Sequence, residues 1–375
     1  MTDRITLKVK GAKYEGWEAV KVERSMAQVS GAFGFKATDI FPGHSEKWYI
    51  RMGDECAVEV NDQVLITGYI DGVNIAYDAD NHSFEVQGRD KTGDLVDCSP
   101  DPDSAGVKGG WKGISVLAII KEICAFFHVE VVVDPLVSSD VKETVERATG
   151  EILFKVNEGE SAFETITRLL NSKAVLPVTY GDGKLTLTRV RYEHVHDYII
   201  SGKNVLAGSY EASDLNRYSV YVVKAQNVGM DLYSLDTVAH VLARYSDPYI
   251  KRTRPIVVMM DKSAVTSEAR DRAEWEARIR AGKSRKLTYD IVGWTQSNGD
   301  PWPINKCVVV RDTFFDIEGS YLIEGVAQTY DDRVGRITQL TLVPPDTYDL
   351  TRLALKIKKQ GVDLDPKLVK DFLAS

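Results

Sequence analysis

Two groups of residues in this sequence have types and spacings that chemistry could use. The first is Glu193-His194-Val195-His196-Asp197. On an extended strand alternate side chains share a face, so both imidazoles would project together, about 7 Å apart along the chain. Glu193 and Asp197 flank them as possible carboxylate ligands. A metal site needs a third ligand from elsewhere, and none is identifiable. The other reading is two polar residues on an exposed strand face. The second group is Asp71, Asp78, Asp80 and Asp90. Such carboxylates could line a cation loop or form the acid–base pair of a glycan-cleaving enzyme. The run Asp78-Ala79-Asp80-Asn81 matches only the opening of a calcium loop; the later Gly and the closing Glu are missing. Turn chemistry is the favoured explanation of these residues, because Asp and Asn side chains bond to backbone N–H groups nearby. The polar run Arg89-Asp90-Lys91-Thr92 suits an interface or a domain-closing salt-bridge cluster.

Other catalytic signatures are absent. There is no G-x-S-x-G, no H-E-x-x-H, no phosphate-binding loop and no dinucleotide-binding glycine fingerprint. Cys56, Cys98, Cys124 and Cys307 stand far apart, and three of them fall in apolar runs as small buried hydrophobes would. A net charge of −8 argues against a duplex-binding surface, since affinity for nucleic acid rests on Lys and Arg neutralising phosphates. Basic patches at Lys251, Arg252 and Arg254 and at Lys283, Arg285 and Lys286 read as solvated faces or partners of a helix C-terminus. The start of the chain lacks the apolar stretch of a leader, and no run of 18 apolar residues exists, so a protein folding in a reducing cytoplasm is expected. No residue is assigned as catalytic, cofactor-binding or metal-ligating.

The elements that would position these residues change character along the chain. Residues 1–98 read as short strands: Ile5–Val9, Ala19–Glu23, Met26–Thr38, Tyr49–Met52, Cys56–Val60, Val64–Ile70, Gly72–Tyr77 and Ser83–Gln87. Pro and Gly between Ser99 and Gly113 mark a boundary. Beyond it a helix over 115–127 carries Val116, Ile119, Ile120, Ile123 and Phe127 on one face. Val129–Val133 reads as a strand. Ser161 and Glu164 form a capping box for a second helix, and a hairpin follows, Leu176–Tyr180 with Lys184–Val190. Strands resume at Val205–Tyr210, Tyr218–Lys224 and Pro255–Met260. A helix over 264–281 carries Val265, Ala269, Ala273, Ala277 and Ala281 as a smooth stripe, which suits close approach to another surface, a subunit partner included. Gly282 is expected to stop it. The segment 350–375 reads as one or two amphipathic helices.

Within this plan one pattern occurs twice, about 250 residues apart. The first copy runs from Cys56 through Gly68-Tyr69-Ile70-Asp71-Gly72-Val73 to Tyr77-Asp78. The second runs from Cys307 through Ser320-Tyr321-Leu322-Ile323-Glu324-Gly325-Val326 to Tyr330-Asp331. A repeat signals one structural unit used twice. In a trimer such a chain would present six related units as a near-sixfold ring, a symmetry adaptor. Chance similarity between two β-meanders is the alternative.

The run Val86-Gln87-Gly88-Arg89-Asp90-Lys91-Thr92-Gly93-Asp94-Leu95-Val96-Asp97-Cys98, after Gly68–Val73 and Tyr77–Asp80, resembles the N-terminal signature of contractile-tail baseplate hub proteins. These are the late-control D-type tail proteins related to the secretion spike VgrG. Glu160–Leu169 with Gly181–Leu185, Arg254-Pro255, Ala273–Trp275, Val292–Trp294 and Trp302–Asn305 resemble further family stretches, from about residue 50 to 345. The resemblance implies a mainly β fold with an α+β insert: two related β-barrel domains (1–98 and 196–348, the second with the long helix), an α/β domain (99–195) and a C-terminal helical tail (349–375). It implies a homotrimer in the virion's tail baseplate, assembled in the host cytoplasm and docked to the tail tube, other baseplate proteins and a separate spike. DNA would pass through its channel without specific binding, and no stable membrane insertion, cofactor or catalysis is implied. An acidic balance suits a conduit to which DNA should not adhere. The competing reading is a β-sandwich that binds or cleaves glycan through the Asp71–Asp90 region, with platforms among six Trp and seventeen Tyr. A His194/His196 metallohydrolase is a third.

Overall fold

A computed structural model describes residues 3–37, 49–79, 82–101, 110–111, 113–143, 154–170, 173, 175–226, 240–260 and 266–349. Asp80, Asn81, Val265 and the expected helices of 350–375 lie outside the described residues. The chain forms two compact units, one from residues up to Arg217 together with Arg278–Tyr348, the other built on Tyr218–Ala277.

The larger unit carries the repeat as two five-strand antiparallel arrays with the same spatial order. The first array is Ala19–Ser25, Ala32–Ala37, His82–Asp90, Gln63–Tyr77 and Glu55–Val60. The second is Val205–Ala212, Arg285–Val292, Gly335–Val343, Ile317–Asp331 and Cys307–Asp312. Both long strands have 15 residues, and each slips register against the strand that follows it in the chain, between Ile70 and Gly72 and between Ile323 and Gly325. Asp71 and Glu324 are the extra residues of these bulges, each followed by Gly-Val. An inserted residue bends its strand and frees it to change neighbours, which is what happens at Glu324. Before the bulge the second long strand pairs with Cys307–Asp312. After it, the strand pairs with Ala19–Ser25 of the first array, from Gly325 opposite Ser25 to Asp331 opposite Ala19.

That junction fuses the arrays into one 13-stranded sheet. The outermost neighbours differ, since Ile5–Val9 pairs antiparallel with the first copy and Ile199–Ile200 parallel with the second. Two closed barrels were expected, but no pairing among the described residues closes either array. Alternation drives the layering: in Ala19–Ser25 the buried residues are Val20, Val22 and Arg24. The first array buries Leu7, Val22, Phe33, Phe35, Ile66 and Val86, and the second Leu287, Tyr289, Trp302, Ile323 and Leu340.

The α/β part follows its sequence pattern closely. Helix Val116–Phe126 is capped by Ser115, whose hydroxyl accepts from Ala118 N at 3.2 Å, and it buries Val116, Ile119, Ile120 and Ile123. The capping box of helix Ala162–Leu170 is reciprocal: Glu164 N donates to Ser161 Oγ at 3.2 Å and Ser161 N to Glu164 Oε2 at 2.8 Å. These helices share a core with Leu185 and Leu187 of a small sheet ordered Leu176–Val178, Lys184–Thr188, Glu130–Val133. The hairpin turn rests on the first long strand. At Gly181 (φ +88°) a Cβ would fall 1.7 Å from the Leu65 carbonyl oxygen, so only glycine fits.

The smaller unit is a sheet ordered His240–Ser246, Val220–Gln226, Pro255–Met260, with helix Thr266–Lys283 as far as Ala277; the end of that helix belongs to the larger unit. Four expectations change. Tyr49–Met52 is no strand; Asp54 N donates to Arg51 O and its carboxylate accepts from Arg51 N, closing a turn. Strands His240–Ser246 and Arg285–Val292 are additional. The alanine stripe offered for a subunit contact is buried inside its own unit, where Ala269, Ala273 and Ala277 pack on Tyr221, Val223 and Ala243. Gly282 does not stop the helix. It lies in the last turn, where a Cβ would sit 2.0 Å from Thr347 Oγ1.

Candidate functional site

The acidic residues of the first copy are fastened to structural partners. Arg89 Nε donates to Asp71 Oδ2 at 2.8 Å and Arg89 Nη2 to Asp97 Oδ2 at 2.6 Å. These bonds hold the Asp97 carboxyl below its ordinary range and push the guanidinium up. Asp90 is buried. Its carboxylate accepts from Thr92 N (3.0 Å) and Oγ1 (2.9 Å) and from Thr179 Oγ1 (3.2 Å). Burial raises its pKa against these bonds. Lys91 reaches Glu55 at 3.0 Å and lies over the Tyr69 ring. Within the run Arg89–Thr92 it is Asp90 that ties the end of the first array to the α/β hairpin, through Thr179. Asp71 and Asp90 have separate partners, an arginine and threonines, so the geometry does not pair them as acid and base.

The histidine run lies along the start of Cys307–Asp312. Cys307 N donates to Glu193 O, and Val195 N donates to Cys307 O, both at 2.8 Å. His194 Nε2 is 2.9 Å from Ser320 Oγ, and His196 N donates to Gln296 Oε1 at 2.9 Å. The Asp197 carboxylate accepts from Ser297 N at 2.7 Å. Both imidazoles are exposed. Among the described residues no group of three or more His, Cys, Asp or Glu could hold a metal ion. Cys56 and Cys307 sit at the same strand of the two copies; burial pushes the Cys56 thiol to about 12 and raises Cys307 as well. Such thiols stay protonated and pack as apolar groups.

The elements of this molecule that have an assembly geometry are the arrays and the junction between them. Its centre is dry. Val22 and Gln328 face each other, both fully buried, and Gln328 Nε2 donates to Trp294 O at 3.0 Å. Trp294 Nε1 donates to Thr329 O at 2.9 Å, and Arg336 lies over the Trp294 and Tyr330 rings. Arg24 is buried with Nη2 on Trp302 O at 2.9 Å, and burial lowers its pKa to about 10. The bulge acid Glu324 is buried and accepts from the Tyr348 hydroxyl, whose pKa burial raises. Asn305 is fully buried and clamps the end of the α/β domain, donating to Tyr180 Oη at 2.9 Å and Arg189 O at 3.1 Å. Sequence reasoning singled out Trp294 and Asn305 only as parts of family-like stretches. Arg24 and Gln328 carried no signal, because their environment comes from strands some 300 residues away.

An antiparallel array used twice, joined by strand pairing and with its polar clusters spent on joints, defines a structural scaffold. Comparison with known proteins places it further. Residues 4–90 match a model of Mu phage baseplate assembly protein GpP-like N-terminal domains, 92–189 the second domain of baseplate hub protein gp44-like chains, and 265–351 the fourth domain of GpP. The baseplate hub protein gp44 of Escherichia phage Mu is 29% identical over 381 residues, 99% of this chain and 97% of that one. The 43 kDa tail protein of prophage MuSo2 from Shewanella oneidensis is 28% identical with a TM-score of 0.77, covering 93% of this chain and all of its own. A Francisella PdpA-VgrG complex shares the fold, with a TM-score of 0.53 at 11% identity over 92% of this chain and 58% of that one. The chain is similar to phage baseplate hub proteins along nearly its whole length, and it shares its fold with VgrG.

Proposed function

We propose that this chain is a structural, non-catalytic hub of a contractile-tail baseplate, working as a homotrimer. Its six arrays would form a pseudo-sixfold ring that matches a sixfold tail tube on one face and a threefold spike on the other, with a central channel through which DNA leaves. Assembly would take place in the host cytoplasm. One observation carries this reading: a single chain contains the same five-strand array twice, and pairs one copy with the other edge to edge. Three such chains supply six units while keeping only threefold identity, which is what a joint between sixfold and threefold partners needs. The expected domains remain part of the proposal, with 1–98 and 196–348 as the ring-forming parts and 99–195 and 349–375 as additions to them.

Sedimentation equilibrium of the purified full chain tests the stoichiometry. The reading expects a species of three times the 41.8 kDa chain mass. A stable dimer or tetramer would exclude it.

A further inference from the structure

The two copies share a strand order and the Gly-Val-x3-Tyr-Asp pattern, but among the described residues only one has its partner. In the second copy the long strand beyond its bulge is covered by Ala19–Ser25. In the first copy the corresponding stretch, Gly72–Tyr77, pairs on one side with His82–Asp90, and among the described residues nothing pairs with its other side. The counterpart of Ala19–Ser25 in the second array is Val205–Ala212, and it too is an edge, bonded among the described residues only to Arg285–Val292. One junction is made inside the chain. Its equivalent is left as two open halves.

We propose that Gly72–Asp78 of one copy of this chain pairs antiparallel with Ala207–Ser213 of a second copy, repeating the internal junction. The inference rests on the ring reading for the number of copies, though not for the pairing itself. The register follows from the ladders. Gly72 and Gly325 face Gln87 and Thr341; those face Gly34 and Thr288; and those face Lys21 and Ser209. Lys21 thus corresponds to Ser209, which aligns Ala19 with Ala207, Glu23 with Glu211 and Ser25 with Ser213. These three identities were not used to set the register. Because Gly325 faces Ser25, Gly72 should face Ser213 of the second copy, Ile75 its Tyr210, and Asp78 its Ala207.

Exposure agrees. Gln328 and Val22, the internal pair corresponding to Ile75 and Tyr210, are both 0% exposed, whereas Ile75 is 66% and Tyr210 44% exposed. Facing each other, they would form an aromatic–β-branched cross-strand pair, among the favourable kinds. Gly72–Asp78 and Ala207–Ser213 contain no Lys and no Pro, two residues that commonly block pairing at an edge. The contact is heterologous, edge of one copy to the other edge of the next, so it propagates and closes into a ring when the rotation allows.

Mixing tests it. Full-length Ile75→Cys and Tyr210→Cys variants, each with the exposed Cys98 changed to Ser, are oxidised alone and together and run without reductant. Both sites are exposed in the single chain, so folding is not at stake, and directly opposed strand residues lie within disulfide reach. A disulfide dimer in the mixture and none from either variant alone is the expected result. A dimer from Ile75→Cys alone, or better cross-linking of Ile75→Cys with Ala212→Cys, overturns the pairing or its register. A trimer by mass without the mixed cross-link overturns the pairing and leaves the hub reading intact. Mixed cross-linking in an assembly that is not a trimer supports the pairing and removes that reading.

Discussion

The Asp90 carboxylate accepts a hydrogen bond from the Thr179 hydroxyl at 3.2 Å, joining two residues 89 positions apart in the chain. Asp90 ends the last strand of the first array, while Thr179 follows a strand of the α/β hairpin. Burial raises the carboxyl pKa, so its ionised form is held at a cost that the threonines only partly offset.

A raised folded-state pKa contributes stability that is present below the ordinary carboxylate value and lost as pH rises through the raised value. Asp90→Asn removes that dependence. Urea unfolding of variant and parent should shift in the variant's favour between pH 4 and pH 7. A difference constant across that range would contradict the assignment.

Asp134 has the opposite sign. It is buried, and burial alone would raise its pKa. The Leu136 N–H (3.0 Å), Arg191 (2.6 Å) and Thr188 hydroxyl (2.9 Å) outweigh this and lower it. Its contribution is present above the ordinary carboxylate value and fades as pH falls through the lowered one. Asp134→Asn should cost about 1–3 kcal/mol at pH 7. The penalty should shrink on acidification, read from urea midpoints.

Gly282→Ala separates packing from propensity. In an exposed helix the change should stabilise by about 1 kcal/mol. Here the new methyl meets Thr347, and the overpacking cost of about 1–3 kcal/mol should dominate. A variant less stable than the parent is expected by chemical denaturation.

The reciprocal box at Ser161 and Glu164 predicts that Ser161→Ala loses about 1 kcal/mol. Hydrogen exchange should quicken in the first turn of Ala162–Leu170, with the sheet of the first array unaffected.

What was legible in the sequence was local. Alternation marked most strands, the 3.6-residue stripe of Val116–Phe126 marked its buried face, and the Gly-Val-x3-Tyr-Asp spacing disclosed the repeat. Strand Arg285–Val292 was missed because its alternating Leu287, Tyr289 and Ile291 stand between charges that read as a basic patch. The alanine stripe predicted close approach correctly but not to what, since small side chains serve an internal sheet as well as a subunit. The acidic residues suggested chemistry because their partners, Arg89 and Thr179, become neighbours only through strand pairing and tertiary packing. The junction itself was invisible, for nothing local says that Val22 will meet Gln328.

End-on images of the purified assembly by electron cryomicroscopy test the central claim most directly. The account predicts a ring of six similar lobes whose rotational power is dominated by the sixfold component, with a weaker threefold one separating the two copies of the array. Three lobes without a sixfold component, or a twofold particle, would contradict it.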